Sequence, residues 1–102
     1  MALRSPAKRT PVLIESALQR LGARVLQARK FRSLTREDLA GLADISVSTL
    51  RHIEAGSEGV AIGNILRVLQ SMGLLDQVEE LFDAKRDPEA IAFAERKATE
   101  SR

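Results

Sequence analysis

The chain has 102 residues, 44% of them apolar, and its three aromatics are all Phe, so one modest core of Leu, Ile, Val and Ala is expected, in packed helices. It has no Cys, which excludes disulfides, thiolate metal sites and cysteine nucleophiles and points to a reducing cytoplasm. No apolar run approaches the ~20 residues of a membrane span, and the opening "MALRSPAKRT" lacks the apolar centre of a signal peptide, so a soluble cytoplasmic protein is expected. The net charge of +2 is unevenly spread. Residues 1–36 hold nine basic side chains against Glu15 alone, giving +8, whereas residues 37–102 hold seven basic and thirteen acidic ones, giving −6. The first third can therefore lie against a polyanion, because a clustered positive field acts locally.

Residues 1–10 read as a flexible basic arm. Thr10-Pro11 reads as N-cap and first helical residue, since Pro lacks only an N–H that has no partner there. Ile14, Leu18, Leu21, Val25 and Ala28 recur at helical spacing and make one apolar stripe, with Gly22 as a point of kinking or division. Thr35 caps the next helix, with Glu37 and Asp38 near its positive end, and Leu39, Ala40, Leu42 and Ala43 form its buried face. Asp44 interrupts after about two turns. Ser46 then caps a third helix with Leu50, Ile53 and Val47 on its apolar side, and Gly56 stops it. Two turns of helix, a short turn and two to three more turns is the helix-turn-helix layout.

After the loop "SEGVA", Ile62, Ile65, Leu66, Val68 and Leu69 predict an apolar helix ending near Gly73. "LLDQVEELF" predicts a short fifth helix with Leu75, Val78, Leu81 and Phe82 inward. "DAKRDP" breaks it, and Asp87-Pro88-Glu89 starts another as N-cap, Pro and acidic first turn. No stretch alternates with period two, so the fold class is all-α. The expected organisation is an arm over 1–10, a DNA-binding domain over 11–83 and a helical tail over 84–102.

"LTREDLAGLADISVSTLRHIEAG" resembles the helix-turn-helix core of the lambda repressor–Cro superfamily, the Xre family. Leu34, Thr35, Leu39, Ala40, Ile45, Ser46, Thr49, Leu50, Ile53, Glu54 and Gly56 stand at the matching spacings, "LQSMGL" resembles the segment that closes the domain, and the likeness covers roughly Leu21 to Leu75. It implies a five-helix DNA-binding domain. It implies base contacts from Val47, Ser48, Arg51 and His52, the last two one turn on from the first and opposite Leu50 and Ile53. It implies phosphate contacts from Thr35, Arg36, Thr49 and Asn64, and a structural ion pair between Glu54 and Arg29. Val47 departs from the usual polar residue and offers a thymine only methyl contact. Arg36 replaces the family Gln, a change that suits a phosphate. Val60-Ala61 replaces Pro-Ser, so the following helix lacks a good cap, and the loop carries Glu58 and no base.

Three functions compete at this point. The first is a sequence-specific regulator, a repressor binding a palindromic operator as a homodimer, since one short helix reads few base pairs and doubling the site supplies affinity. The second adds a protein partner: "LRVLQSMGLLDQVEELF…DP" is similar to small HipB-like antitoxins, which repress their own operon and bind a HipA-like kinase toxin. The third, an enzyme, lacks any constellation: one His, no Cys, no Tyr or Trp and no Gly-rich phosphate loop. No cofactor is implied, and His52 has no second His or Cys with which to hold a metal.

Overall fold

The computed structural model describes residues 9–101, and within them every regular element is helical. Five α-helices follow in order: α1 (Val12–Phe31), α2 (Arg36–Ala43), α3 (Val47–Ala55), α4 (Ile62–Ser71) and α5 (Pro88–Glu100). Two 3₁₀ segments, Leu75–Glu80 and Ala84–Arg86, lie between α4 and α5. The expected fifth helix of the domain is thus a tighter 3₁₀ segment. Most of the predicted basic arm, with Arg4 and Lys8, lies outside the described residues.

Local chemistry sets most helix ends. The Thr35 hydroxyl accepts the Asp38 N–H at 3.0 Å while the Asp38 carboxylate accepts the Thr35 N–H at 2.9 Å, a reciprocal capping box. Ser46 Oγ accepts the Thr49 N–H at 3.0 Å. Asp44, at φ 56, takes the left-handed conformation that ends α2, and Gly56, at φ 78, does the same for α3. The Asp87 carboxylate accepts the Glu89 N–H at 3.0 Å with Pro88 as first helical residue, as expected. The start of α1 differs from expectation. Pro11 is its cap and no side chain bonds there; the Thr10 hydroxyl lies one residue earlier and donates to Glu58 on the loop before α4. Ala61 likewise caps α4 with no side-chain bond.

The core is one cluster. Val25 of α1, Leu39, Ala40 and Ala43 of α2, Leu50 and Ile53 of α3, and Val68 and Met72 at the end of α4 are buried, and Leu39, Leu50 and Val68 are sealed from water. Helix α1 packs on α3, and α2 packs on both α3 and α4. Removing these aliphatic side chains from water supplies the main drive for folding, about 1.5–3 kcal/mol for each large one.

Several expected core positions lie elsewhere. Leu42 is 63% exposed, and Ile14, Leu21 and Ile62 also face outward. After Gly73 the chain turns too tightly to bury a full stripe. Leu74 packs against the core, but Leu75, Leu81 and Phe82 are exposed rather than inward, with Phe82 fully so and at φ 60. Helix α5 packs chiefly on Ala84–Arg86 and buries no residue. Helix α1 runs unbroken through Gly22, which is buried. A Cβ built at Gly22 comes within 2.6 Å of the carbonyl oxygens of Ile53 and Glu54. Gly22 is therefore a place where two helix backbones touch, and no kink forms.

Candidate nucleic-acid interface

Helices α2 and α3 are joined by Asp44, Ile45 and Ser46. The turn is held by the Ile45 N–H donating to the Ala40 carbonyl at 3.0 Å and by the Ser46 cap. Leu50, Ile53 and Glu54 of α3 face inward, whereas Ser48, Arg51 and His52 are exposed on its other side. Val47 is half-buried and packs on the core, so only part of its side chain is available to a ligand. Of the four residues expected to meet bases, three thus share one solvent-facing surface.

The expected phosphate-side residues are distributed differently. Thr49, His52 and Asn64 line one open cleft of about 450 Å³, together with Ser57, Gly59, Val60 and Ala61. It lies between the exposed side of α3 and the start of α4, where the Asn64 N–H donates to the Ala61 carbonyl at 3.0 Å and the N–H groups of Ile62 and Gly63 have no helical partner. His52 Nδ1 and Ser57 Oγ stand 3.4 Å apart at its edge. Thr49 Oγ1 shares a 2.8 Å hydrogen bond with Ser46 Oγ. Thr35 is used as an acceptor in its own capping box, which leaves its hydroxyl O–H free to donate.

Beneath this surface is a charged cluster. Arg29 Nε donates to Glu54 Oε2 at 2.7 Å and Arg29 Nη2 to Glu54 Oε1 at 3.1 Å, while Arg29 Nη1 donates to the Leu34 carbonyl at 3.0 Å. Arg29 and Glu54 are both buried. A third member was not expected: Arg36 Nε donates to Glu54 Oε1 at 2.9 Å. Burial by itself raises the Glu54 carboxyl, but the hydrogen bonds and charges of Arg29 and Arg36 outweigh it and hold the group below the ordinary carboxylate range. The hydrogen bond to Glu54 raises the Arg29 guanidinium further, against the opposing effect of burial. The cluster carries +1 overall and has no unsatisfied buried atom among the described residues. Sequence reading placed Arg36 at a phosphate and missed its tie to Glu54. The residue that sequence reading did not single out at the cleft, Ser57, comes from a loop without helical periodicity, whereas the backbone near Gly59 was expected to offer N–H groups to a phosphate.

The profile of the helix-turn-helix domain matches residues 20–81, from the middle of α1 to the end of the first 3₁₀ segment. The chain belongs to the helix-turn-helix domain family. Among curated proteins, the helix-turn-helix chain is 38% identical over 53 residues to the uncharacterized HTH-type transcriptional regulator y4mF of Sinorhizobium fredii, covering 52% of this chain and 70% of that protein. No solved structure gives a significant match. Among the described residues, no helix of this helix-turn-helix protein is long and apolar enough to cross a membrane.

Proposed function

We propose that this chain is a DNA-binding transcriptional regulator of the lambda repressor–Cro (Xre) type, a repressor that binds a palindromic operator as a homodimer and reads base edges with α3. The helix-turn-helix family and the regulator relative support its first part. The observation that carries the reading of α3 is its polarity: Ser48, Arg51 and His52 face solvent on a helix whose opposite side is locked into the core through Leu50 and Ile53. A helix held in that way presents a fixed set of donors and acceptors to the major groove, where each base pair offers a distinct pattern. Arg51 supplies the strongest donor set. His52 adds one donor and one acceptor when neutral. Val47 contributes methyl contact. Phosphate contacts fall to Arg36 from α2, to Thr35 and Thr49, and to Asn64 with the open N–H groups at the start of α4; they set position without reading sequence.

One such helix reads only a few base pairs, so two copies on a palindrome are needed for useful affinity. The face left exposed after Gly73, with Leu75, Leu81 and Phe82, and Ile91 and Phe93 of α5, supports a self-association surface there. A second reading, an autoregulating HipB-like antitoxin that binds a HipA-like kinase toxin, draws on that C-terminal segment, whose apolar side chains and net negative charge suit a protein partner rather than DNA.

The test is binding of the parent and of Arg51→Ala to a duplex selected from a random pool and to a scrambled duplex, at several salt concentrations. Arg51→Ala is expected to weaken the selected duplex by about 1–3 kcal/mol with little effect on the scrambled one. Equal loss on both makes Arg51 a phosphate clamp and removes it from base reading. A stable complex with the product of the neighbouring gene, taken with autoregulation, favours the antitoxin reading over the free-standing repressor.

A further inference from the structure

Helices α2 and α3 pack on one another across a short turn. The turn at Asp44–Ser46 joins the end of α2 to the start of α3, so the first residue of α2 and the last turn of α3 are the parts of the pair farthest along the chain from it. Arg36 is that first residue, Glu54 lies in that last turn, and the Nε–Oε1 bond of 2.9 Å spans the gap between them. The other polar tie of α3, from Arg29, and the backbone contact at Gly22 both come from α1. Arg36 is thus the polar strut between the two helices of the motif.

The Arg36 side chain is also 38% exposed, while that of Glu54 is 2% exposed. Only the Nε of Arg36 is hydrogen-bonded among the described residues. The two terminal nitrogens, with four N–H bonds, remain for another acceptor. A guanidinium can serve two anions at once because its donors fan out in a rigid plane, whereas an ammonium offers a point charge on a flexible stem.

We infer that Arg36 is a positioning residue for the reading helix: its Nε grips Glu54 while its terminal nitrogens face a DNA phosphate. Seating on the backbone then fixes the angle between α2 and α3, and so the pose of Ser48, Arg51 and His52. This rests on the DNA-reading function proposed above. The neutral alternative is a phosphate clamp with an incidental internal bond. That alternative predicts that any cation at position 36 will do.

The experiment compares the parent with Arg36→Lys, Arg36→Ala and Glu54→Gln in two measurements. The first is hydrogen exchange of the α3 amides in the free protein. Exchange over Val47–Ala55 is expected to quicken in Arg36→Lys, with the protein still folded by circular dichroism. The second is salt-dependent titration against a selected and a scrambled duplex. Arg36→Lys should keep the log–log salt slope within about half a unit of the parent, because the charge is retained, and yet lose roughly tenfold of its preference for the selected duplex. Arg36→Ala should lose the preference and about one unit of slope together. Glu54→Gln leaves the cluster with one more positive charge, so its slope should steepen while its preference falls. Unchanged α3 exchange in Arg36→Lys overturns the inference whatever the DNA result, as does an unchanged preference. Quickened exchange beside a parent that prefers no duplex supports the strut and defeats the base-reading function instead.

Discussion

Changing Gly22 to Ala sets two effects of opposite sign against each other. In the middle of a 20-residue helix, Gly→Ala ordinarily stabilises by about 1 kcal/mol, because Ala loses less backbone freedom on folding. At Gly22 the added methyl would stand 2.6 Å from the carbonyl oxygens of both Ile53 and Glu54 and 2.9 Å from the Glu54 carbonyl carbon. A carbon approaches a carbonyl oxygen comfortably at about 3.3 Å, so α1 and α3 must part by roughly 0.7 Å. The obstacle is backbone, which no rotamer change can relieve. Overpacking of this kind costs about 1–3 kcal/mol, and a clash with two fixed oxygens belongs at the upper end. After the helix-forming gain is subtracted, a net loss of about 1–2 kcal/mol is expected. For a domain of this size that lowers the melting temperature by roughly 5–15 °C. Thermal unfolding followed by circular dichroism measures it. Gly41→Ala in α2 is the control, since nothing lies within 4 Å of a Cβ built there, and it should hold or raise the melting temperature. A Gly22→Ala protein as stable as the parent, or more so, would falsify the backbone contact between α1 and α3.

The same glycine marks where sequence reading stops. A Gly inside an apolar stripe is consistent with a kink, a division or a close approach, and the last needs a partner helix that no local pattern supplies. What was legible was local. Thr35, Ser46 and Asp87 cap the expected helices because a hydroxyl or carboxylate there serves N–H groups two or three residues on, and Gly56 ends α3 because a left-handed residue is needed. At Thr10 the expectation failed because the cap falls one residue later, at Pro11, and the Thr10 side chain is turned to Glu58, 48 residues away. Leu42 and the residues after Gly73 failed because apolar character says only that a side chain can be buried. Which face is buried depends on what lies opposite, and among the described residues too little lies opposite Leu81 and Phe82 to bury them.

For the site, the outward set Ser48, Arg51 and His52 follows from the inward set Leu50 and Ile53 by helical geometry alone. The contact of Arg29 with Glu54 was anticipated from family resemblance, across 25 residues and two helices. Arg36 was assigned to phosphate by the same resemblance, and its hydrogen bond to Glu54 was not foreseen. That bond depends on how α2 and α3 lie across one another, which no local pattern in the sequence gives.

Three further outcomes follow from the charged cluster and the exposed C-terminal face. Leu75→Ser with Phe82→Ser, in a chain ending at residue 83, is expected to give a folded monomer by sedimentation; a folded dimer places the interface elsewhere. In a double-mutant cycle, Glu54→Leu should cost about 3–5 kcal/mol because it strands the buried Arg29, Arg29→Leu should cost less because Glu54 keeps its bond to Arg36, and the double variant should cost less than their sum by about 1 kcal/mol or more; strict additivity in denaturant unfolding would show no coupling. The third outcome is a dependence on acid. Burial pushes the Glu54 carboxyl up, the two arginines pull it down further, and the folded-state value lies below the ordinary 4.5. A carboxyl lowered on folding contributes stability that is complete above its unfolded value and is lost as pH falls through its folded value, since the unfolded state then binds the proton more readily. The melting temperature of the parent should therefore hold from neutral pH down to the ordinary carboxylate range and drop as pH falls below it. Asp38, lowered by the Thr35 amide and hydroxyl, titrates in the same direction and adds to that drop. The comparison that isolates Glu54 is the difference between parent and Glu54→Gln, in which Asp38 cancels. Glu54→Gln should be less stable at neutral pH and lose less on acidification, so the two curves converge as pH falls below the ordinary carboxylate range. Curves that stay parallel across that window would mean that Glu54 is not held in its charged form by Arg29 and Arg36.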